Sequence, residues 1–239
     1  MHLDRYLSKY AGLSRKSILR LLNLGKIKVD EQVTLSRDHP VNDFSKIHIE
    51  GKLLNLHKPA RYFLMNKPAG ILSATTDPQH TTAIELIAET EREDLHIAGR
   101  LDRATTGLLI LTNDGKWSRH ITEPKQKVPK TYRVETVYAI SPQTANLFSK
   151  GIYFAYENMT TSPAEIEILS PTSCRLTIYE GRYHQIKRMF AATGNRVKNL
   201  HRESVGEIKL DSALRPGDYR ALSQAEIDSI WRTKPEKGE

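Results

Sequence analysis

The stretch GRLDRATTGLLILTNDG, residues 99–115, joins a cluster of charged residues to the run LLILT, which is typical of a buried β-strand. Asp102 lies between Arg100 and Arg103, shortly before Gly107 opens the apolar run. One interpretation is a solvated ion pair with a neighbouring arginine, which contributes about 0 to 1 kcal/mol and no chemistry. The other is a catalytic carboxylate. Because structural ion pairs outnumber catalytic ones, this stretch alone favours the ion pair.

The composition favours a cytoplasmic protein. The chain has 239 residues, enough for a large core, and a single cysteine, Cys174, which excludes internal disulfides and cysteine-rich zinc sites. None of the nine histidines has the zinc-binding spacing H-E-x-x-H. The N-terminus lacks the apolar core of a signal peptide, and no apolar run approaches the ~20 residues of a membrane span. We therefore expect no metal, no cofactor and no membrane partner.

The net charge of +8 points to a polyanionic partner, and the charge is unevenly distributed along the chain. Residues 1–58 contain 11 lysines and arginines against 6 aspartates and glutamates, which gives a net charge of +5 and leaves +3 for the remainder. We interpret the first quarter of the chain as a separate basic module.

This basic module is predicted to contain two helices followed by a β-hairpin. The second helix begins after Ser14, a good N-cap residue, and ends at Gly25. Lys16 and Arg20 are like-charged i,i+4 neighbours on it, an arrangement that destabilises an isolated helix unless an anion such as phosphate lies across the pair. A solvated helix face is the alternative.

Residues 1–50, with the core SRKSILRLLNLGKIKVDEQ, resemble the S4 RNA-binding domain of ribosomal proteins and RNA-modifying enzymes. The resemblance implies an RNA-binding surface rather than an activity. We predict an S4-like domain over residues 1–58, which includes the start of a linker, NLHKPAR (55–61). Its expected RNA contacts are basic side chains, namely Arg5, Arg15, Lys16, Arg20, Lys26 and Lys28.

Residues 59–239 are predicted to form one α+β domain with a largely antiparallel mixed sheet flanked by helices. The sequence TYRVETVYA alternates so that Tyr132 and Tyr138 lie on the same side of a half-buried strand. AEIEILS and CRLTIYE alternate likewise and are separated by Ser170 and Pro171, which predicts an antiparallel pair.

Two further stretches carry polar residues beside apolar ones. EGRYHQIKRMF predicts a helix on which Arg182 and Arg188 suit contacts with an RNA backbone, while His184 on its own suits a structural hydrogen bond better than general base catalysis. RYFLMNKPAGIL predicts a strand that ends at Asn66 and Lys67 in an ordinary β-turn.

In chain order, RYFLMNKPAGIL, HIAGRLDRATTGLLILTNDG, PKTYRV and LTIYEGRYHQIKRMF resemble the successive motifs of the pseudouridine synthases, in the RsuA-type ribosomal RNA branch. The most specific part is G-R-L-D-x-x-T-x-G-L, whose aspartate is catalytic throughout that family. The resemblance implies that Asp102 is the catalytic group, that Tyr132 stacks on the target base and that Lys187 is the cationic partner of Asp102. Much of the wider superfamily has arginine at the position of Lys187, so the adjacent Arg188 is an alternative partner.

The implied reaction is the isomerisation of a uridine in ribosomal RNA to pseudouridine, without a cofactor and with the target base flipped into a pocket. The carboxylate must be ionised and firmly aimed, and nearby cations serve both needs. Attack at C1′ and removal of the 2′ proton are both open. Leu176 or Ile178 is expected beneath the uracil. The full set of expected substrate-binding residues is Arg100, Leu101, Arg103, Thr106, Asn66, Lys67, Leu176, Ile178, Arg182, His184 and Arg188.

The tail segments GRYHQIKRMFAATGN, LHRE and LRPGDYRALS resemble the family members that act on small-subunit rRNA more than those that act on the large subunit. The expected partner is therefore 16S rRNA in a partly assembled small subunit, and the expected enzyme is a monomer. A 23S rRNA uridine is the first alternative. A non-catalytic rRNA-binding or assembly protein is the second, but it leaves the placement of Asp102 unexplained. A hydrolytic nucleosidase is disfavoured because no paired acid motif is evident.

Overall fold

A computed structural model describes residues 1–41, 44–54 and 59–232 of the chain. The chain divides into two compact units, Met1–Ala60 and Arg61–Glu239, called the N-terminal unit and the C-terminal unit below. The first four residues of the predicted linker, 55–58, lie outside the described residues. Within the described ranges, no helix is both long and apolar enough to cross a lipid bilayer.

The N-terminal unit packs two helices on a small antiparallel sheet of order β2-β1-β3-β4. Ser14 caps the second helix by accepting a hydrogen bond from the backbone N–H of Ser17, 3.2 Å away. The core is formed by apolar side chains from both helices and from β1 and β3. The two helices and the hairpin predicted from the sequence are confirmed, whereas the relation to S4 domains stays a prediction. The elements are α1 (Leu3–Ala11), α2 (Arg15–Asn23), β1 (Ile27–Val29), β2 (Gln32–Val33), β3 (Ile47–Ile49) and β4 (Lys52–Leu53).

The C-terminal unit is built around one large sheet. Its helices are α3 (Gly115–Thr122), α4 (Gln143–Lys150), α5 (Gln185–Ala192) and α6 (Gln224–Ser229). Its strands are β5 (Tyr62–Lys67), β6 (His96–Ile97), β7 (Thr106–Thr112), β8 (Lys130–Thr136), β9 (Tyr153–Phe154), β10 (Met159–Thr160), β11 (Glu165–Ser170), β12 (Ser173–Ile178), β13 (Val197–Val205), β14 (Ile208–Lys209) and β15 (Tyr219–Ala221).

The large sheet has the order β11-β12-β8-β13-β7-β5-β15, with β14 beside β13 and β6 beside β7, and β9 pairs separately with β10. The pair β13–β7 is parallel, and the other strand pairs of this sheet are antiparallel. The predicted α+β class with a largely antiparallel mixed sheet and flanking helices is therefore confirmed.

The apolar run of β7 is explained by cores on both faces of the sheet. Leu109 and Leu111 join the core that contains α4 and α5, whereas Leu108 and Ile110 join the core that contains α3. A strand covered on both faces has no need of polar alternation, so the sequence reads as a continuous apolar stretch. The loop that precedes β7, and with it Asp102, is thus anchored to the centre of the unit.

Gly107 permits the parallel contact between β7 and β13. Its φ is +98°, and a Cβ built on it would lie 2.4 Å from the carbonyl oxygen of Arg202, its partner in the register of the two strands. A side chain at this position would force the strands apart, because such contacts do not occur between real atoms. Gly107 therefore allows Arg202 to reach the loop before β7.

The predicted strand around Tyr132 ends earlier than its alternation suggested. Tyr132 is buried in β8, but the strand stops at Thr136 and Tyr138 is 62% exposed. The Thr136 hydroxyl donates to the carbonyl oxygen of Tyr138 at 2.7 Å, and the Asn195 side chain binds the Tyr138 backbone. These bonds turn the chain out of the sheet, so the expectation that Tyr138 shares the buried face was wrong.

Candidate functional site

Asp102 lies on the loop between β6 and β7, and Lys67 fixes this loop from beneath. The Lys67 side chain is fully buried, and its ammonium group donates to the carbonyl oxygens of Pro68, Arg103 and Thr105 at 3.0, 3.3 and 2.9 Å. The pKa of Lys67 is lowered to about 8, chiefly by burial; the charge of Asp102 acts to raise it and that of Arg202 to lower it. Lys67 is therefore a positioning residue, which corrects its predicted role in substrate binding.

A second loop, which follows β5, clasps the Asp102 loop on both sides of the carboxylate. The Gly70 N–H donates to the Arg103 carbonyl at 2.8 Å, and the Arg103 Nε donates to the Gly70 carbonyl at 3.0 Å. The Ser73 hydroxyl accepts from the Leu101 N–H and donates to the Leu101 carbonyl, both at 3.1 Å. The position of Asp102 is therefore defined by its neighbours before any substrate binds.

The ion-pair partners of Asp102 come from the start of α5. His184 Nε2 lies 3.3 Å from one carboxylate oxygen, and Lys187 Nζ lies 3.6 Å from the other. Among the described residues, neither Arg100 nor Arg103 pairs with this carboxylate, so the local ion pair weighed from the sequence is not formed. Each oxygen of the Asp102 carboxylate therefore faces a nitrogen from the start of α5, and Lys187 places a positive charge beside it.

The start of α5 is fixed by a buried carboxylate, Glu180, which is only 3% exposed. Its oxygens accept hydrogen bonds from the Ser162 N–H, the Gln185 amide and the Arg182 Nε at 2.8, 3.0 and 3.0 Å. His184 follows in the left-handed region with φ of +49°, a conformation that a residue without glycine's freedom adopts only when its surroundings impose it. This turn aims the imidazole at Asp102.

Arg188 points away from Asp102. Its guanidinium binds both oxygens of Glu157 and lies 3.7 Å from the centroid of the Phe154 ring. Hydrogen bonding to Arg188 lowers the pKa of Glu157. Because the guanidinium is paired with Glu157 and stacked on Phe154, Arg188 does not pair with Asp102. The alternative in which Arg188 replaces Lys187 as the partner of Asp102 is therefore wrong.

Asp102 opens into a cavity of about 550 Å³, a size typical of ligand pockets. The Asp102 side chain is 27% exposed, so it is reachable from this space. The cavity wall contains eight of the residues predicted from the sequence, namely Arg100, Leu101, Asp102, Tyr132, Ile178, Arg182, His184 and Lys187. Among the described residues, no three His, Cys, Asp or Glu side chains are grouped to hold a metal ion.

The other predicted substrate-binding residues lie outside the cavity wall. Asn66 donates to the carbonyl of Leu214 at 2.8 Å and serves the backbone, and Leu176 is fully buried in the core. Thr106 shares a 2.8 Å hydrogen bond with His201 Nδ1. Leu176 and Ile178 were the two residues expected beneath the uracil. Ile178 lines the cavity and Leu176 does not, which favours Ile178 for this position.

Arg202 lines the cavity and was missed in the sequence. It is 1% exposed, and its guanidinium donates to the carbonyls of Leu108 and Gly99 at 2.7 and 2.9 Å and to the Tyr132 hydroxyl at 3.4 Å. It thus ties β7, the Asp102 loop and the Tyr132 ring together. The available signal was an arginine in the middle of the strand sequence LHRE, but its partners lie 70 to 103 positions away along the chain.

Lys130 is a second buried cation in the cavity wall. It is 6% exposed, and its ammonium donates to the Val128 carbonyl at 3.0 Å. Burial, and to a smaller extent the charge of Arg202, lowers the pKa of Lys130 to about 8. The cavity is therefore lined by several positive groups, which suits an anionic ligand.

Lys130 is expected to contribute an increase in stability as the pH rises between about 8 and 10.5. In this range the unfolded chain holds a lysine proton that the folded state has released, so the free energy of unfolding increases with pH. The free-energy cost of burying the charged Lys130 ammonium is fully present below pH 8, where it is on the order of 3 kcal/mol. In Lys130→Met, the free energy of unfolding measured in urea should lack this increase across the pH range. A matched change at the exposed Lys198 should leave the pH dependence intact, and an unchanged slope in Lys130→Met would contradict the assignment.

Thr105 lines the cavity, one position before the predicted Thr106. It is 1% exposed, and its hydroxyl has no hydrogen-bond partner among the described residues. We expect Thr105→Val to raise the free energy of unfolding by about 1 kcal/mol, because it removes a buried unpaired hydroxyl without changing the shape. Thr106→Val is the matched control and should lower it by about 1 kcal/mol, because Thr106 bonds His201. If both variants changed the free energy of unfolding in urea by the same amount, this prediction would be wrong.

The six basic residues predicted to bind RNA in the N-terminal unit are all exposed. Lys16 and Arg20 lie on α2, whose buried face is formed by Ile18 and Leu22. The exposed basic side chains are therefore accessible to an anionic surface.

Comparison with known proteins identifies several similar to this chain. Residues 61–192 match the family model described as RNA pseudouridylate synthase. Proteins named ribosomal small subunit pseudouridine synthase A are 46% identical over 230 residues in Pseudomonas aeruginosa, 45% over 232 in Vibrio cholerae and 41% over 230 in Escherichia coli. These alignments cover 96 to 97% of this chain and 100% of each relative. A crystal structure described as pseudouridylate synthase is 36% identical, with a TM-score of 0.71 over 96% of this chain and 99% of that chain.

Proposed function

The chain belongs to the RNA pseudouridylate synthase family, and we propose that it isomerises one uridine of small-subunit (16S) ribosomal RNA to pseudouridine, with Asp102 as the catalytic carboxylate and no cofactor. The observation that carries the catalytic assignment is the carboxylate itself, which opens into the cavity between His184 and Lys187. The choice of RNA rests on the names of the relatives.

The reaction breaks the bond between N1 of the uracil and C1′ of the ribose, turns the uracil and joins its C5 to C1′. The hydrogen of C5 then leaves as a proton and N1 gains one, so the product is an isomer of the substrate. Asp102 begins this sequence either by attack at C1′ or by removal of the proton on C2′, and both routes need an ionised carboxylate at a fixed position. In the first route the bond from Asp102 to C1′ breaks as C5 joins C1′, and in the second the proton returns to C2′. Lys67 and the loop after β5 supply the fixed position, and Lys187 places a positive charge 3.6 Å from the carboxylate.

Tyr132 and Ile178 are proposed to hold the uracil. Both line the cavity, and the Tyr132 hydroxyl is bound by the buried Arg202. A base stacked in an RNA helix cannot reach a carboxylate in a recess, so the target uridine must be flipped out of its stack. Stacking on an aromatic ring offsets part of the energy lost on unstacking.

The N-terminal unit is proposed to be an S4-like RNA-binding module, whose exposed basic residues contact phosphates. The enzyme is proposed to act as a monomer in the cytoplasm on a partly assembled small subunit.

A tritium-release assay on rRNA labelled at C5 of uridine tests the proposed reaction. Isomerisation frees the C5 hydrogen and leaves the uracil attached to the RNA. A hydrolytic nucleosidase would release free uracil, and a non-catalytic assembly protein would release neither. Tritium release without free uracil from small-subunit rRNA is the expected result, and its absence would refute the proposal.

A further inference from the structure

Tyr183 presents an aromatic face at the wall of the cavity that no described contact covers. Its side chain is 76% exposed although it lines the cavity, and its ring is stacked on the His184 ring with the centroids 3.9 Å apart and the planes 21° apart. We propose that the outer face of Tyr183 is a second base subsite, which stacks a nucleotide adjacent to the target uridine. This inference rests on the proposed function.

The placement of Tyr183 determines which base the subsite receives. His184 contacts Asp102 through Nε2, at the edge of its ring, and Tyr183 covers one face of that ring. A base on the outer face of Tyr183 is therefore separated from the imidazole by the tyrosine ring. We assign this position to a base other than the reacting uracil, which occupies the space beside Asp102 and Tyr132. A neighbouring nucleotide is the base within reach of this position.

The backbone that carries the ring is fixed before RNA binds. The Tyr183 carbonyl accepts from Arg188 Nη1 at 3.4 Å, and Arg188 is itself fixed by Glu157 and by stacking on Phe154. The inner face of the ring is stacked on the imidazole of His184. The outer face is therefore the one that is open to a base.

The charges around Tyr183 suit the linking phosphates of an extruded strand. Arg182 and Lys187 line the same cavity on either side of the stacked pair in sequence. Single-stranded nucleic acids are bound in this way, by aromatic rings that stack bases beside cations that contact phosphates. An exposed tyrosine of this kind contributes little to the apolar core, so its removal should affect RNA more than the fold.

The test combines variants of Tyr183 with removal of single bases from the RNA. The probe is a small-subunit rRNA fragment that contains the modified uridine, with an abasic ribose placed at each flanking position in turn. For the wild-type enzyme, one abasic position should weaken binding and raise KM about tenfold, with kcat little changed. Tyr183→Leu should cause a similar rise on the intact fragment and no further rise on that abasic fragment, whereas Tyr183→Phe should behave like wild type.

Tyr138→Leu is the matched control, because Tyr138 is 62% exposed and, among the described residues, is not part of the cavity wall. It should match wild type on every fragment. Two results would overturn the subsite. One is a Tyr183→Leu enzyme that equals wild type. The other is binding to which Tyr183→Leu and every abasic position contribute separate, additive losses. Absence of tritium release by the wild-type enzyme would instead overturn the proposed function, since binding and turnover are measured separately.

Discussion

Asp102→Asn is expected to lower the rate of pseudouridine formation by about 10⁴-fold or more, the size of loss seen when a catalytic nucleophile or base is removed from other enzymes. The amide is nearly the same shape as the carboxylate, but it neither attacks C1′ nor takes a proton. The Asp102 loop is held by hydrogen bonds between its backbone and the side chains of Lys67 and Ser73, and these bonds do not involve the carboxylate. The fold should therefore survive the change.

The measurement is tritium release under single-turnover conditions, accompanied by the affinity for rRNA and the unfolding midpoint. Asp228→Asn is a suitable control, because Asp228 is an exposed carboxylate on α6 that accepts a hydrogen bond from Gln224. It should retain full activity. If Asp102→Asn kept a substantial fraction of the rate while binding RNA normally, the assignment of Asp102 as the catalytic group would be refuted.

The cluster of Asp102 and Lys187 in one cavity with Tyr132 was predictable from the sequence because each lies in a motif with fixed spacing. No composition rule places residues 102, 132 and 187 together. The resemblance does so, because it carries the fold with it. The same reasoning failed for Lys67 and Asn66, which lie in a motif but point to backbone carbonyls. A motif marks residues that the site needs, without separating those that touch the ligand from those that hold a loop.

Arg202 shows a different limit of sequence analysis. A charged residue in a strand is ordinarily expected on a solvated face, yet this arginine is buried among carbonyl groups from Leu108 and Gly99. Its burial depends on the close approach of β7 and β13, which Gly107 allows. That approach is a property of strand order, and β13 follows β7 only after five intervening strands in sequence. Local patterns contain no information on it.

Cells that lack the gene are expected to lose one pseudouridine completely from small-subunit rRNA and to keep those of large-subunit rRNA. The proposed substrate, one uridine of 16S rRNA, predicts the loss of a single site and places it in the small subunit. The measurement is a map of pseudouridines in both rRNAs. A plasmid with the wild-type gene or with Asp228→Asn should restore the site, whereas Asp102→Asn should not.

The net charge of the chain is the basis for the proposed assembly state of the substrate. The chain carries a net charge of only +8, with +5 of it in residues 1–58, which is modest for a protein that would have to neutralise many phosphates and impose a fold on RNA. Ribosomal proteins bound to a partly assembled particle would supply that fold. The purified enzyme should therefore restore the missing pseudouridine faster in particles from the deletion strain than in the same rRNA stripped of protein. Loss of a large-subunit site, with the small subunit unchanged, would leave the reaction standing and refute the choice of RNA.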